Sequence, residues 1–83
     1  MDQLGVTIYG TTWCGDCSRA KTVLDERGVA YKWVDVGVDM AALDFIRQIQ
    51  DGGQTVPTIL FKDGSILIEP SNEQLNRKLE GYL

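Results

Sequence analysis

The run GVTIYGTTWCGDCSRAK, Gly5–Lys21, changes its pattern halfway along. Val6, Ile8 and Tyr9, set between two glycines, alternate as a first strand does. From Gly15 to Arg27 the spacing becomes helical, with Cys17, Ala20, Val23, Leu24 and the stem of Arg27 on one face. Gly28 then closes that helix as a left-handed cap. The two cysteines of the chain, Cys14 and Cys17, fall at the strand–helix junction. In an α/β sheet the carboxyl end of a strand is where ligands collect. The pair therefore sits where chemistry is expected.

Beyond this unit the pattern continues in short elements. In AYKWVDV, residues Tyr31, Trp33 and Val36 mark a second strand. Asp39 caps a second helix with Ala42, Leu43, Ile46 and Ile49 on its apolar side, ending at Gly52 and Gly53. In TVPTILFKDGSILIEP, Ile59–Phe61 and Ile66–Ile68 flank Asp63-Gly64, a dipeptide suited to a tight primed hairpin turn. Ser71 and Gln74 form a capping box, and Leu75, Leu79 and Tyr82 supply the inner face of a last helix. The order is βαβαββα, one α/β domain over residues 1–83 with a four-stranded mixed sheet flanked by helices. A right-handed strand–helix–strand unit makes its strands parallel, and the hairpin adds an antiparallel pair.

Bulk properties remove several function classes. The 83 residues suffice for one domain, and a hydrophobic fraction of 43% supports a small packed core. Net charge is −4 with no run of Lys or Arg, which argues against nucleic acid and against an anionic membrane as partner. The amino terminus has neither the basic start nor the apolar run of a secretory signal. No apolar stretch approaches the ~20 residues of a spanning helix. A cytoplasmic protein is expected, and there a purely structural disulfide does not persist.

Residues three apart at a helix start share a face, so Cys14 and Cys17 can reach disulfide distance. Cys14 stands at the cap, where free N–H groups of the first turn point at its sulfur, and Cys17 begins the buried stripe. A helix N-terminus favours a nearby anion by ~0.3–1 kcal/mol, and by up to ~2 in partly buried geometry. Asp16 opposes this from the far side of the helix, at roughly 0.5 kcal/mol for charges ~8 Å apart in water. The helix wins, and Cys14 becomes the nucleophile that attacks a substrate disulfide. Cys17 then displaces the substrate thiol and leaves an internal disulfide. Trp13 reads either as an apolar wall beside the thiol or as an ordinary packed aromatic. A mononuclear zinc site needs four ligands, which two cysteines and no histidine supply only from two chains. No metal is expected in a single chain.

WCGDC after a strand, TVP before a hairpin and the βαβαββα order together resemble a glutaredoxin of the thioredoxin superfamily. The resemblance covers essentially the whole chain and implies a thioredoxin-like fold. It also implies a cis bond between Val56 and Pro57 beside the nucleophile, with the Val56 backbone open to an extended substrate. Two features of glutathione-using members are missing. The Lys usually found just before the first cysteine is replaced by Thr11 and Thr12, and the Gly-Gly and Asp after the hairpin give way to LIEPSNEQ. TTWCGxC, DGGxTVPT and the later PS are closer to mycoredoxins, actinobacterial glutaredoxin-like proteins acting on mycothiol. That thiol carries no carboxylate and would not need the missing Lys. The resemblance implies thiol contacts from Thr55 and Val56 through backbone, and polar groups for a sugar from Thr12, Gln54, Ser71 and Asn72. Ser71 also has the plainer role of helix cap.

The leading expectation is a monomeric dithiol oxidoreductase that reduces mixed disulfides between proteins and a small thiol, mycothiol or glutathione. The small thiol is a co-substrate, no bound cofactor is expected, and a thioredoxin or mycothione reductase would complete the cycle. One alternative is an electron donor to ribonucleotide reductase, recharged by a thioredoxin reductase. Another is an iron–sulfur cluster carrier, with Cys14 of two chains holding the cluster, which brown anaerobic material would reveal.

Overall fold

The computed structural model describes residues 5–82, the side chain of Tyr82 excepted, so the inward placement expected of that tyrosine lies outside the described residues. The elements are β1 (Val6–Gly10), α1 (Gly15–Glu26), β2 (Tyr31–Asp35), α2 (Met40–Ile49), β3 (Thr58–Leu60), β4 (Ile66–Ile68) and α3 (Asn72–Tyr82), in the expected order. The sheet runs β2-β1-β3-β4. β1 is parallel to β2, with Val6 opposite Tyr31 and Gly10 opposite Asp35, and β3 is antiparallel to both β1 and β4. This is a thioredoxin-like α/β arrangement, and β1, which leads into the cysteines, is flanked on both sides.

Register sorts the strand residues onto two faces. Ile8 stands beside Trp33 and Ile59, and Ile59 beside Leu67, so these side chains share one row. With Val6 and Phe61 they meet Ala20, Val23 and Leu24 of α1 and Leu75 and Leu79 of α3 in the hydrophobic core. The helical spacing expected of α1 is realised in full, with Cys17, Ala20, Val23 and Leu24 all buried. On the opposite face Tyr9 meets Phe45 of α2, ring centroids 5.5 Å apart. Only Ile46 of α2 is fully buried, while Ala42, Leu43 and Ile49 remain partly exposed. Ile66 and Ile68, on the edge strand, stay 37% and 46% exposed.

The helix ends follow the expected chemistry. The Asp39 carboxylate accepts from the Ala42 N–H at 3.0 Å, capping α2. Ser71 and Gln74 bond reciprocally at 2.9 and 3.1 Å. Gly28 takes φ +70° just after α1. The hairpin differs from the primed two-residue turn expected at Asp63-Gly64. Gly64 N–H bonds the Phe61 carbonyl, Phe61 N–H bonds the Ser65 carbonyl, and only Gly64 is left-handed, at φ +90°. The cause is Asp63, whose carboxylate accepts from both the N–H and the hydroxyl of Ser65 at 2.9 and 2.6 Å. That local turn holds Asp63 out of the positive φ a type I′ turn requires. Among the described residues no helix is long and apolar enough to cross a membrane.

Candidate active site

β1 ends at Gly10, and a turn closed by the Cys14 N–H on the Thr11 carbonyl, at 3.4 Å, delivers Cys14 to the head of α1. Cys14 is the N-cap, with extended φ −90° and ψ 113°. Its sulfur accepts the Cys17 N–H at 3.2 Å, and its S–H faces the Val56 carbonyl at 3.9 Å. A cap sulfur in that position meets the otherwise unpartnered N–H groups of the first turn. Asp16 is turned aside into an ion pair with Arg19 at 3.3 Å, which offsets the repulsion it would otherwise exert. Both cysteines are free thiols.

Cys17 is 1% exposed. It fits beneath Gly10, where an added Cβ would lie 2.5 Å from its sulfur and 2.8 Å from the tip of the Trp33 ring. The missing side chain of Gly10 is what lets strand, thiol and indole close up. Burial first, and then the hydrogen bond to Cys14, push the Cys17 thiol up to about 12, against a hydrogen bond from the Thr11 backbone that favours its thiolate. At neutral pH Cys17 rests protonated, behind an accessible Cys14.

The third side of the site is the segment before β3. Gln50, the C-cap of α2, donates to the Thr55 carbonyl at 3.0 Å and to the Thr58 hydroxyl at 2.7 Å, and accepts the Thr55 N–H at 3.0 Å. Thr58 in turn donates to the Thr55 carbonyl at 2.8 Å. Gly53 lets the amide fold back, because a Cβ there would meet Gln50 Oε1 at 3.0 Å. Both backbone groups of Thr55 are thereby engaged inside the protein. The expectation that Thr55 offers backbone bonds to a thiol gives way to one centred on Val56, whose carbonyl is turned to Cys14. The Val56–Pro57 bond is cis, as the resemblance implies, and Pro57 is buried with its carbonyl accepting from Glu69 N–H at 2.8 Å. Gln54 is exposed beside this loop.

Trp13 is 77% exposed, its ring edge lying over Gly37, where a Cβ would come within 2.9 Å. It is therefore not a packed core aromatic. Thr12 is exposed in the same turn. Ser71 is committed to capping α3. The Asn72 carbonyl oxygen accepts from Arg19 at 2.6 Å, and Arg19 also reaches the Pro70 carbonyl at 3.3 Å. Asn72 is tied to α1 through that arginine, and Ser71 is paired with Gln74 within its own helix start. Three positioning residues escaped the sequence reading: Gly10, Gln50 and Arg19. Gly10 continues the inward alternation of Val6 and Ile8, and Arg19 lies one turn after Asp16, so both left a signal. Gln50 left none beyond being a polar residue at a helix end.

A family model described as Glutaredoxin matches residues 6–66. The chain is 45% identical over 74 residues to a Mycobacterium tuberculosis (strain H37Rv) protein named "Putative glutaredoxin Rv3198A", covering 89% of this chain and 88% of that one. It is 35% identical over 75 residues to Mycoredoxin 1 of Corynebacterium glutamicum, covering 90% and 92%. Among solved structures it resembles a glutaredoxin from Archaeoglobus fulgidus with a TM-score of 0.80 at 20% identity, covering 95% of this chain and 89% of that one.

Proposed function

Because this chain belongs to the glutaredoxin family and is a disulfide oxidoreductase, we propose that it reduces mixed disulfides between proteins and a small thiol, with Cys14 attacking and Cys17 resolving. The observation that carries this reading is the asymmetry of the pair. Cys14 stands at the cap of α1 with its sulfur on a backbone N–H, and Cys17 lies buried directly behind it. The Cys14 thiolate attacks one sulfur of the substrate disulfide and expels the other as thiolate. The Cys17 thiolate then attacks Cys14, forms the internal disulfide and releases the second thiol. The Val56 carbonyl, 3.9 Å from Cys14, is placed to accept an N–H from the cysteinyl part of the substrate.

Mycothiol is the small thiol this reading favours over glutathione. Arg19, a cation near the head of α1, is already shared among Asp16, Asn72 and Pro70, and Glu69 adds an exposed carboxylate beyond the hairpin, while Glu73 is paired with Arg77 at 3.1 Å. A thiol with charged carboxylates meets repulsion there, and an uncharged sugar-linked thiol does not. The relative named Mycoredoxin 1 is in keeping with this. Intact mass of Cys17→Ser, after exposure to equal amounts of glutathione and mycothiol disulfides, tests both parts. A sugar-thiol adduct on Cys14 is expected. A glutathione adduct would overturn the choice of thiol, and no adduct on either would shift the role to protein disulfides served by a thioredoxin reductase. Cys14→Ser is expected to abolish exchange altogether.

A further inference from the structure

Resolution requires Cys17 to lose its proton inside an apolar wall, and the question is what stabilises the charge. At the end of β1 the groups facing it are Gly10 and, in the turn that follows, the Thr11 backbone, neither of which ionises. On β2, Trp33 presents its ring tip, while Asp35 turns its carboxylate to the Gly37 N–H at 2.8 Å. On α1, Asp16 is engaged by Arg19, and Cys14 is the partner thiol. One cation remains. Lys21, one turn after Cys17 on α1, holds its ammonium 4.0 Å from the centroid of the same Trp33 ring. Among the described residues no carboxylate forms an ion pair with Lys21.

We propose that Lys21, held over the Trp33 face, is the positioning residue that stabilises the Cys17 thiolate in the resolving step. The inference rests on Cys17 being the resolving thiol. In the step itself the Cys17 proton passes to solvent, and the sulfur pair attacks Cys14. The Cys14–Cys17 bond forms, and the bond from Cys14 to the substrate sulfur breaks. The departing thiolate takes a proton from solvent, and two electrons have moved from the dithiol to the substrate disulfide. Lys21 gives up no proton. It lowers the cost of the transient negative charge across an indole whose face attracts the ammonium and whose tip packs against Gly10 beside the sulfur. The direction agrees with the Lys21 charge favouring the Cys17 thiolate against burial.

Dithiobis-nitrobenzoate separates the two steps by absorbance, since the first nitrothiobenzoate leaves on attack by Cys14 and the second on attack by Cys17. With Lys21→Met the first release keeps its rate, while the second slows severalfold at neutral pH as the Cys17 thiolate becomes scarcer. Its pH–rate profile moves upward to match, and Lys21→Arg restores both. If Lys21→Met leaves the pH profile of the second release in place, or slows both releases equally, Lys21 has no such role. If Cys17→Ser with Lys21 intact gives no first release, or gives two, it is the assignment of Cys14 and Cys17 that fails. Melting curves of the Lys21 variants separate loss of folding from loss of charge.

Discussion

The two faces of the sheet are built to different standards. The face covered by α1 and α3 is closed, with a cluster of ten buried apolar residues among the described ones. The α2 face buries Ile46, a tilted Tyr9–Phe45 contact and the Gln50–Thr58 hydrogen bond, and leaves Ile66 and Ile68 open at the edge. Cys17 belongs to the closed face, and the loop carrying Val56 is held from the other. A buried thiol needs a wall that excludes water and fixes its distance to its partner. The loop before β3 needs only its backbone held in register, which the Gln50 amide achieves here.

Truncation should expose that difference most strongly. Leu24→Ala, in the closed face, should cost about 2–5 kcal/mol in denaturant titrations. A cost near that of a surface change would remove the distinction between the faces. Gly10→Ala should follow at about 1–3 kcal/mol, since its methyl must displace Cys17 Sγ or Trp33, and it should slow resolution relative to attack by Cys14. The next effect is in pH. Burial holds the Cys17 thiol at about 12 in the folded state against 9.0 without it. Its contribution is therefore complete below pH 9 and is lost as pH rises towards about 12. The reduced protein should lose stability across that window more steeply than Cys17→Ala. Parallel slopes would mean the thiol is hydrated in the native state. The smallest change should come from Ile68→Thr on the open edge, within about 0.5 kcal/mol. A cost of several kcal/mol there would show that the α2 face is not the looser one.

Much of this was legible in the chain. The helices announced themselves through spacing and through caps that the structure reproduces at Asp39, Ser71 and Gly28. The CxxC at a strand–helix junction put Cys14 outward and Cys17 inward, because cap and stripe positions on a helix start are fixed by its geometry. What stayed hidden depends on side chains that reach beyond their own element. Asp63 chose the hairpin turn by binding Ser65, and a dipeptide pattern cannot register that. Gln50 reaches five residues ahead to claim Thr55, so the residue expected to hold the thiol was spent on structure. Arg19 likewise took Asn72. Each is a polar side chain with several possible partners, and only the folded arrangement selects one.

The two tryptophans carry a consequence of their own. Trp13 adjoins Cys14 in the chain and is open to solvent, while the ring tip of Trp33 shares the Gly10 contact with the Cys17 sulfur. The two rings thus differ in setting, one open to solvent and one partly buried against the core. Their emission should separate by wavelength, the exposed ring to the red of the partly buried one. Occupation of Cys14 by a bulky adduct should perturb the red component, and closure of the internal disulfide should quench the blue. The two tryptophans thus give an optical readout of the two cysteines without any label.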